Sequence, residues 1–236
     1  MTKQEAKKLI ADAIQSGRKS LMEPEAKEIL KAWEIPVPQH FVAKDKSLAI
    51  GAANNIGYPV VLKVISSDIL HKTEAGGVWV GLKNEQDIDD AFNEMIFAIS
   101  EHNTTASIEG FLIEKMVGKG VEVIIGGIRD AQFGPAVMFG IGGINVELLK
   151  DVSFRLAPVA REECLDMIRE IKTYPLLAGY RGGEPCDIDA IADIIIKVGS
   201  IMNEIDGIKE MEINPLIVYP DGAVAVDARV VLDKGR

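Results

Sequence analysis

The chain has 236 residues, 47% hydrophobic and 26% charged, enough to bury a sizeable core as one large domain or two lobes. Its 26 Lys and Arg against 36 Asp and Glu leave a formal net charge of −10. That field repels phosphate backbones and anionic lipid heads, which argues against nucleic-acid and membrane-surface roles and requires any anionic ligand to be held by a local site.

Thr2-x-x-Glu5 and Ser20-x-x-Glu23 read as capping boxes that open two helices. The second has Pro24 in its first turn, an apolar face of Ala26, Ile29, Leu30 and Trp33, and a stop before Pro36 and Pro38. Leu48, Ala49, Ala52, Ala53 and Ile56 give a third helical stripe ended by Gly57. Residues 59–65 read as a buried strand, 66–77 as a long loop and 78–82 as a strand, before a helix marked by Ile88, Phe92, Met95 and Ile99. Residues 108–117, 121–128 and 135–140 are apolar runs separated by glycine turns, and are expected to form an antiparallel meander. Helices near 161–173 and 187–205 follow. Residues 208–218 and 223–231 then close the chain as a hairpin around Asp221-Gly222. The expected plan is α+β, with a mixed first lobe over residues 1–107, a β-rich second lobe over 108–236, and a ligand cleft between them.

Cys164 and Cys186 form no CxxC pair and no disulfide framework, which fits a reducing cytoplasm. The first twenty residues lack the apolar core of a signal peptide, and no window approaches the ~20 apolar residues of a membrane span.

Four features carry chemistry. Lys63 stands in a run that is otherwise apolar on both faces, where an ammonium needs an anion. It is either an edge-strand lysine reaching water or a phosphate ligand. In the final hairpin, strand alternation puts Glu212, Asn214, Asp227 and Arg229 on one face, with Asn214 expected opposite Arg229 and Leu216 opposite Asp227. Two carboxylates and an amide suit Mg2+, which binds a few hard oxygens and keeps water and phosphate in the rest of its shell; the alternative is a solvated polar face. His71 lies in a glycine-rich loop longer than a strand connection needs. A neutral imidazole there is either an ordinary surface group or a nucleophile toward phosphorus. Finally, Gly140, Gly142 and Gly143 follow a strand and can offer backbone N–H groups to phosphate. Arg155 either faces the same anion or pairs with Asp151.

Taken together, these segments resemble the ATP-grasp fold, and more closely the small β subunit of ADP-forming (nucleoside-diphosphate-forming) acetate/acyl-CoA synthetases. The likeness is carried by Tyr58 to Lys63, Asp68 to Thr73 with Gly76-Gly77, Phe111 to Val117, Glu122, Phe139 to Gly143, Asp151 to Pro158, Tyr180 to Gly182 and Glu212 to Leu216. It runs from about residue 20 to Leu232. The resemblance implies a two-lobed ATP-grasp fold with a nucleotide cleft. Lys63 would bind nucleotide phosphate, Glu114 and the backbone near Val117 the adenine, and Glu122 the ribose. Asn214 and Asp227 would ligate Mg2+, His71 would be transiently phosphorylated, and Glu212 would orient or stabilise a phosphohistidine.

The implied reaction is acyl-CoA + ADP + phosphate ⇌ carboxylate + ATP + CoA. The resemblance also implies a cytoplasmic α2β2 heterotetramer whose α subunit carries the CoA and acyl sites and a phosphorylated histidine of its own. Succinyl-CoA synthetase β subunits share the Glu212 to Leu216 pattern but carry a further C-terminal domain and lack a counterpart of His71. The rival readings are a stand-alone ATP-grasp carboxylate ligase, which gives His71 no role, and a nucleotide-binding module without catalysis.

Overall fold

The structure, a computed structural model, describes residues 1–69, 72–102, 107–142 and 151–233. The chain divides into two compact units, Pro38–Gly118 and Met1–Val37 with Lys119–Arg236.

In the smaller unit, strands β1 (His40–Ala43), β2 (Val60–Ile65), β3 (Val78–Leu82) and β4 (Gly110–Lys115) form an antiparallel sheet in the order β1-β4-β2-β3. Helices α3 (Lys46–Ile56) and α4 (Glu85–His102) share one core with this sheet. Asp45 caps α3 by accepting from Leu48 N at 2.8 Å, and Gly57, at φ 80°, ends it. Alternation along β2 and β4 separates two sets of residues. Val60, Leu62, Val64, Phe111 and Ile113 join Ala49, Ala53, Ile88 and Met95 in the core, each large aliphatic contributing about 1.5–3 kcal/mol by burial. Lys63, Leu112 and Glu114 are buried but lie outside that cluster, on the opposite face.

In the larger unit, β5 (Val121–Asp130), β6 (Gly134–Ile141), β7 (Val152–Leu156), β8 (Ile208–Tyr219) and β10 (Ala228–Leu232) run in the order β10-β8-β5-β6-β7, and β9 (Gly222–Ala225) also pairs with β8. Helices α1 (Lys3–Gln15), α2 (Glu23–Ala32), α5 (Arg161–Glu170) and α6 (Ile188–Glu204) supply the rest of its core. Asp187 caps α6 by accepting from Ala190 N, and Ile191, Ile195, Val198 and Met202 form its buried stripe. Gly127 lets α6 approach β5, since a Cβ there would stand 2.6 Å from the Met202 side chain. At the far end of α6 the Arg129 guanidinium takes the carbonyls of Met202, Ile205 and Ile208. No helix among the described residues is long and apolar enough to cross a membrane.

Four expectations are corrected. The boundary falls not at residue 107 but on either side of 38–118, because α1 and α2 pack into the larger unit's core while β4 belongs to the smaller sheet. The expected meander therefore loses its first strand and gains β7, and β4 lies between β2 and the four-residue β1, too short to announce itself. The second helix starts after Met22, whose N–H is capped by Glu25 at 2.8 Å, while Ser20 bridges to Val231 at the β10 edge. Last, the closing hairpin turns on Pro220-Asp221, with Tyr219 opposite Gly222, so Leu216 faces Ala225 and Glu212 faces Arg229. The shift is by two residues, and side-chain alternation survives an even shift.

Candidate functional site

The expected site residues fall into two sets, one on each unit. In the smaller unit the Lys63 ammonium lies 2.7 Å from the Glu114 carboxylate. Val61 is paired with Glu114 and Lys63 with Leu112, so the two charged residues are diagonal neighbours on one face of β2 and β4. Both are almost fully buried, with side-chain exposures of 6% and 2%. The question of whether Lys63 reaches water is thereby answered: the ammonium is buried against a carboxylate. The neighbouring Lys115 has a different task, donating to the carbonyls of Gly57 at 2.8 Å and Tyr58 at 3.0 Å. Val117 follows β4, half-buried, beyond the last paired residue of the sheet.

In the larger unit Asn214 stands opposite Asp227, its N–H donating to the Asp227 carbonyl at 3.2 Å. The Asn214 Nδ2 donates to Glu212 Oε1 at 3.0 Å, which turns the amide oxygen into the atom available to a cation. The Ala228 N–H holds one Asp227 carboxylate oxygen at 2.7 Å. An amide oxygen and a carboxylate facing each other across two strands, with a second carboxylate beside them, fit Mg2+, a hard cation that keeps several waters. No cluster of three or more His, Cys, Asp or Glu able to hold a metal occurs among the described residues. Glu122, exposed at the start of β5, is anchored through its backbone, its carbonyl accepting from Gly142 N at 2.7 Å.

His71 and Gly143 lie outside the described residues. Arg155 does not pair with Asp151, one of its two expected partners. It forms a fork with Glu170, Nη2 to Oε2 at 2.6 Å, which raises the arginine pKa and lowers that of the carboxyl. Asp151 instead anchors the segment after α5, accepting from Lys172 N, Thr173 N and the Thr173 hydroxyl. Burial pushes its pKa up, but those donors outweigh burial and hold it below the usual carboxylate range.

The sequence pointed to Glu212 and Arg229 but not to the middle of the larger sheet beside them. Arg229, Glu212, Gly126, Met138 and Phe154 stand opposite one another in turn across β10, β8, β5, β6 and β7, and line one groove. The signal was the pair Gly126-Gly127 inside an apolar strand, where glycine marks a close approach or an open space.

The ATP-grasp domain family matches residues 12–232. The chain is 51% identical over 223 residues to the β subunit of ADP-forming acetate–CoA ligase I of Pyrococcus furiosus, covering 94% of this chain and 96% of that one. It is 43% identical over 230 residues to ADP-forming acetate–CoA ligase I of Archaeoglobus fulgidus, covering 98% of this chain but 33% of that longer protein. Among solved structures it resembles acetyl-coenzyme A synthetase 1 of Ca. Korarchaeum cryptofilum. The form with coenzyme A and Ca-AMPCP superposes with a TM-score of 0.95 at 46% identity, over 97% of this chain and 100% of that one. A second form, with coenzyme A, Mg-AMPPCP and a phosphohistidine segment pointing towards the nucleotide-binding site, gives 0.85 at 43% identity over the same shares. The fold and these likenesses agree: the chain belongs to the ATP-grasp family, among the β subunits of ADP-forming acetate–CoA ligases.

Proposed function

We propose that this chain is the nucleotide-handling subunit of an ADP-forming acyl-CoA synthetase, catalysing acyl-CoA + ADP + phosphate ⇌ carboxylate + ATP + CoA together with an α partner. The observation that carries the reading is the opposition of Asn214 and Asp227 with Glu212 hydrogen-bonded beside them. When bound, Mg2+ offsets phosphate charge and orients the nucleotide. Lys63 holds nucleotide phosphate and Glu114 and the Val117 backbone hold the adenine. Glu122 holds the ribose.

On the partner, phosphate displaces CoA to give an acyl phosphate. Its phosphoryl group passes to a partner histidine, releasing the carboxylate, and then to His71 and ADP. The Korarchaeum structures, with coenzyme A, nucleotide analogues and a phosphohistidine segment in one enzyme, support such a relay. In-line phosphoryl transfer tolerates little misplacement, so two distant sites need a carrier between them. The threefold greater length of the Archaeoglobus relative supports a separate partner supplying the remaining parts, for which we infer an α2β2 assembly. A cytoplasmic setting is supported by two buried cysteines, both free thiols.

The test is reconstitution. The chain mixed with its α partner forms ATP from acetyl-CoA, ADP and phosphate, either subunit alone does not, and His71→Ala abolishes turnover. Full turnover by this chain without a partner contradicts the assignment.

A further inference from the structure

The function proposed above gives Lys63 the nucleotide phosphate, yet its charge is already answered. The ammonium lies 2.7 Å from the Glu114 carboxylate and both are buried, so the two together carry no net charge. The protein as a whole carries −10. An anion bound beside such a pair needs positive charge from a further group.

His40 is placed to supply it. It stands directly opposite Glu114 across β1 and β4, while Phe41 and Ala43 stand opposite Ile113 and Phe111 of the core. Directly opposed residues share a face, so His40, Glu114 and Lys63 lie on one side of three neighbouring strands, β1, β4 and β2, within the smaller unit. The His40 ring is half-buried, and its Nδ1 lies 2.9 Å from the Pro38 carbonyl oxygen. A carbonyl only accepts, so Nδ1 keeps its hydrogen and the titrating atom is Nε2.

The other residues that alternation puts on this face, among them Val42, Leu112, Val61 and Val78, are uncharged. Within the smaller unit β4 and α3 pack against β1. Of their charged groups, Lys115 is held by the carbonyls of Gly57 and Tyr58, and Lys46, which opens α3, pairs with Asp89. Asp45 caps α3, and Lys44, which follows β1, donates to the Glu109 carbonyl. Glu114 is therefore the charge that faces the imidazole, with Lys63 on the strand behind it.

We propose that His40 is a positioning residue of the nucleotide site, which takes up a proton when the anionic nucleotide binds and shares Glu114 with Lys63. The inference rests on the nucleotide-binding role given to Lys63 above. With His40 neutral the three groups sum to no charge; with His40 protonated they sum to a single positive charge. Glu114, drawn toward the imidazolium, then leaves the Lys63 ammonium able to turn to phosphate. The proton passes from the buffer to Nε2 and returns when the nucleotide leaves. An ordinary histidine titrates near about pH 6.5, and a bound anion raises that value. The extra affinity is thus fully present below the free-state value and is lost as pH rises through the bound-state value.

The test is calorimetric titration of the full chain with Mg-ADP from about pH 6 to about pH 8, in buffers of different ionisation enthalpy, for wild type, His40→Gln and His40→Lys. Wild type is expected to take up more protons than His40→Gln. Its affinity should fall about tenfold more steeply across the range, the ratio that follows when a bound anion raises one histidine pKa by about one. His40→Lys, permanently charged, should bind tightly throughout. The nucleotide's own phosphate titrates alike in all three proteins, so the differences isolate His40. Equal proton uptake and equal pH dependence in wild type and His40→Gln overturn the proposal, as does a His40→Lys that follows His40→Gln at every pH. The chain has three histidines, so in the double variant His71→Ala with His102→Ala ring-proton NMR reads His40 without altering it. A pKa that rises on Mg-ADP binding supports the proposal, and an unchanged one overturns it. If wild type binds no Mg-ADP at any pH, the nucleotide-binding reading fails and takes this inference with it; binding without a His40 proton removes the inference and leaves that reading standing.

Discussion

The Lys63 ammonium and the Glu114 carboxylate lie 2.7 Å apart, both buried, on strands that pair in the smaller unit. Taking both charges out of water is costly, and removing one partner leaves the other uncompensated. Glu114→Gln is therefore expected to destabilise the protein by about 3–5 kcal/mol. The double change Lys63→Met with Glu114→Leu should lie close to wild type in stability while losing nucleotide binding. Urea denaturation and calorimetric titration with Mg-ADP check the two halves separately. A double variant that binds nucleotide normally would remove Lys63 from the site.

On the proposed function, Asn214 and Asp227 would hold the cation. Asp227→Ala and Asn214→Ala each lower Mg-ADP affinity by roughly 10–100-fold, at least what metal sites lose when a group behind a ligand is removed. The same variants bind metal-free ADP in EDTA as wild type does. A loss of equal size without Mg2+ would mean that the two residues support the fold and not the cation.

Glu25 ties the start of α2 to the preceding turn, accepting from Arg18 Nη1 at 2.8 Å and from Met22 N at 2.8 Å. Burial raises its pKa, but the Arg18 guanidinium and the Met22 N–H outweigh burial and hold it below the ordinary 4.5. The unfolded chain thus takes up this proton at higher pH than the folded one. The contribution, about 2 kcal/mol for charge-assisted hydrogen bonds, is fully present above about pH 4.5 and is lost as pH falls through the lower folded value. Glu25→Gln should be markedly less stable than wild type at pH 7, with the gap narrowing as pH falls below about 4.5, as read by urea denaturation.

Cys164 is fully buried, and burial pushes its thiol to about 11; burial also raises that of Cys186. Neither is a thiolate at pH 8, so neither should react with iodoacetamide in the folded protein, and both should react in 8 M urea. Rapid native labelling of Cys164, seen by mass spectrometry, would show that its helix opens far more readily than its packing implies.

Where periodicity was long and apolar, as in the Ile191, Ile195, Val198 stripe of α6, the sequence was sufficient to place the element. Short strands and pairing choices were not legible. β1 is four residues long, and the partner of β4 depends on long-range packing that local pattern does not encode. The hairpin register slipped by two residues because Pro220-Asp221 and Asp221-Gly222 are both good turns, yet Glu212, Asn214, Asp227 and Arg229 stayed on one face because the slip was even. The Lys63–Glu114 pair needed the β2–β4 register, which no single segment contains. The groove over Gly126 needed four strand pairings at once.

On the proposed function, this chain passes a phosphoryl group through His71. The direct measurement is mass spectrometry of the chain after incubation with Mg-ATP and its α partner, under conditions that preserve acid-labile phosphate. Phosphate is expected on His71, absent in His71→Ala and returned as ATP when ADP is added. Turnover to ATP by the complex with His71→Ala in place of the wild-type chain, or with no phosphohistidine on this subunit, would contradict it.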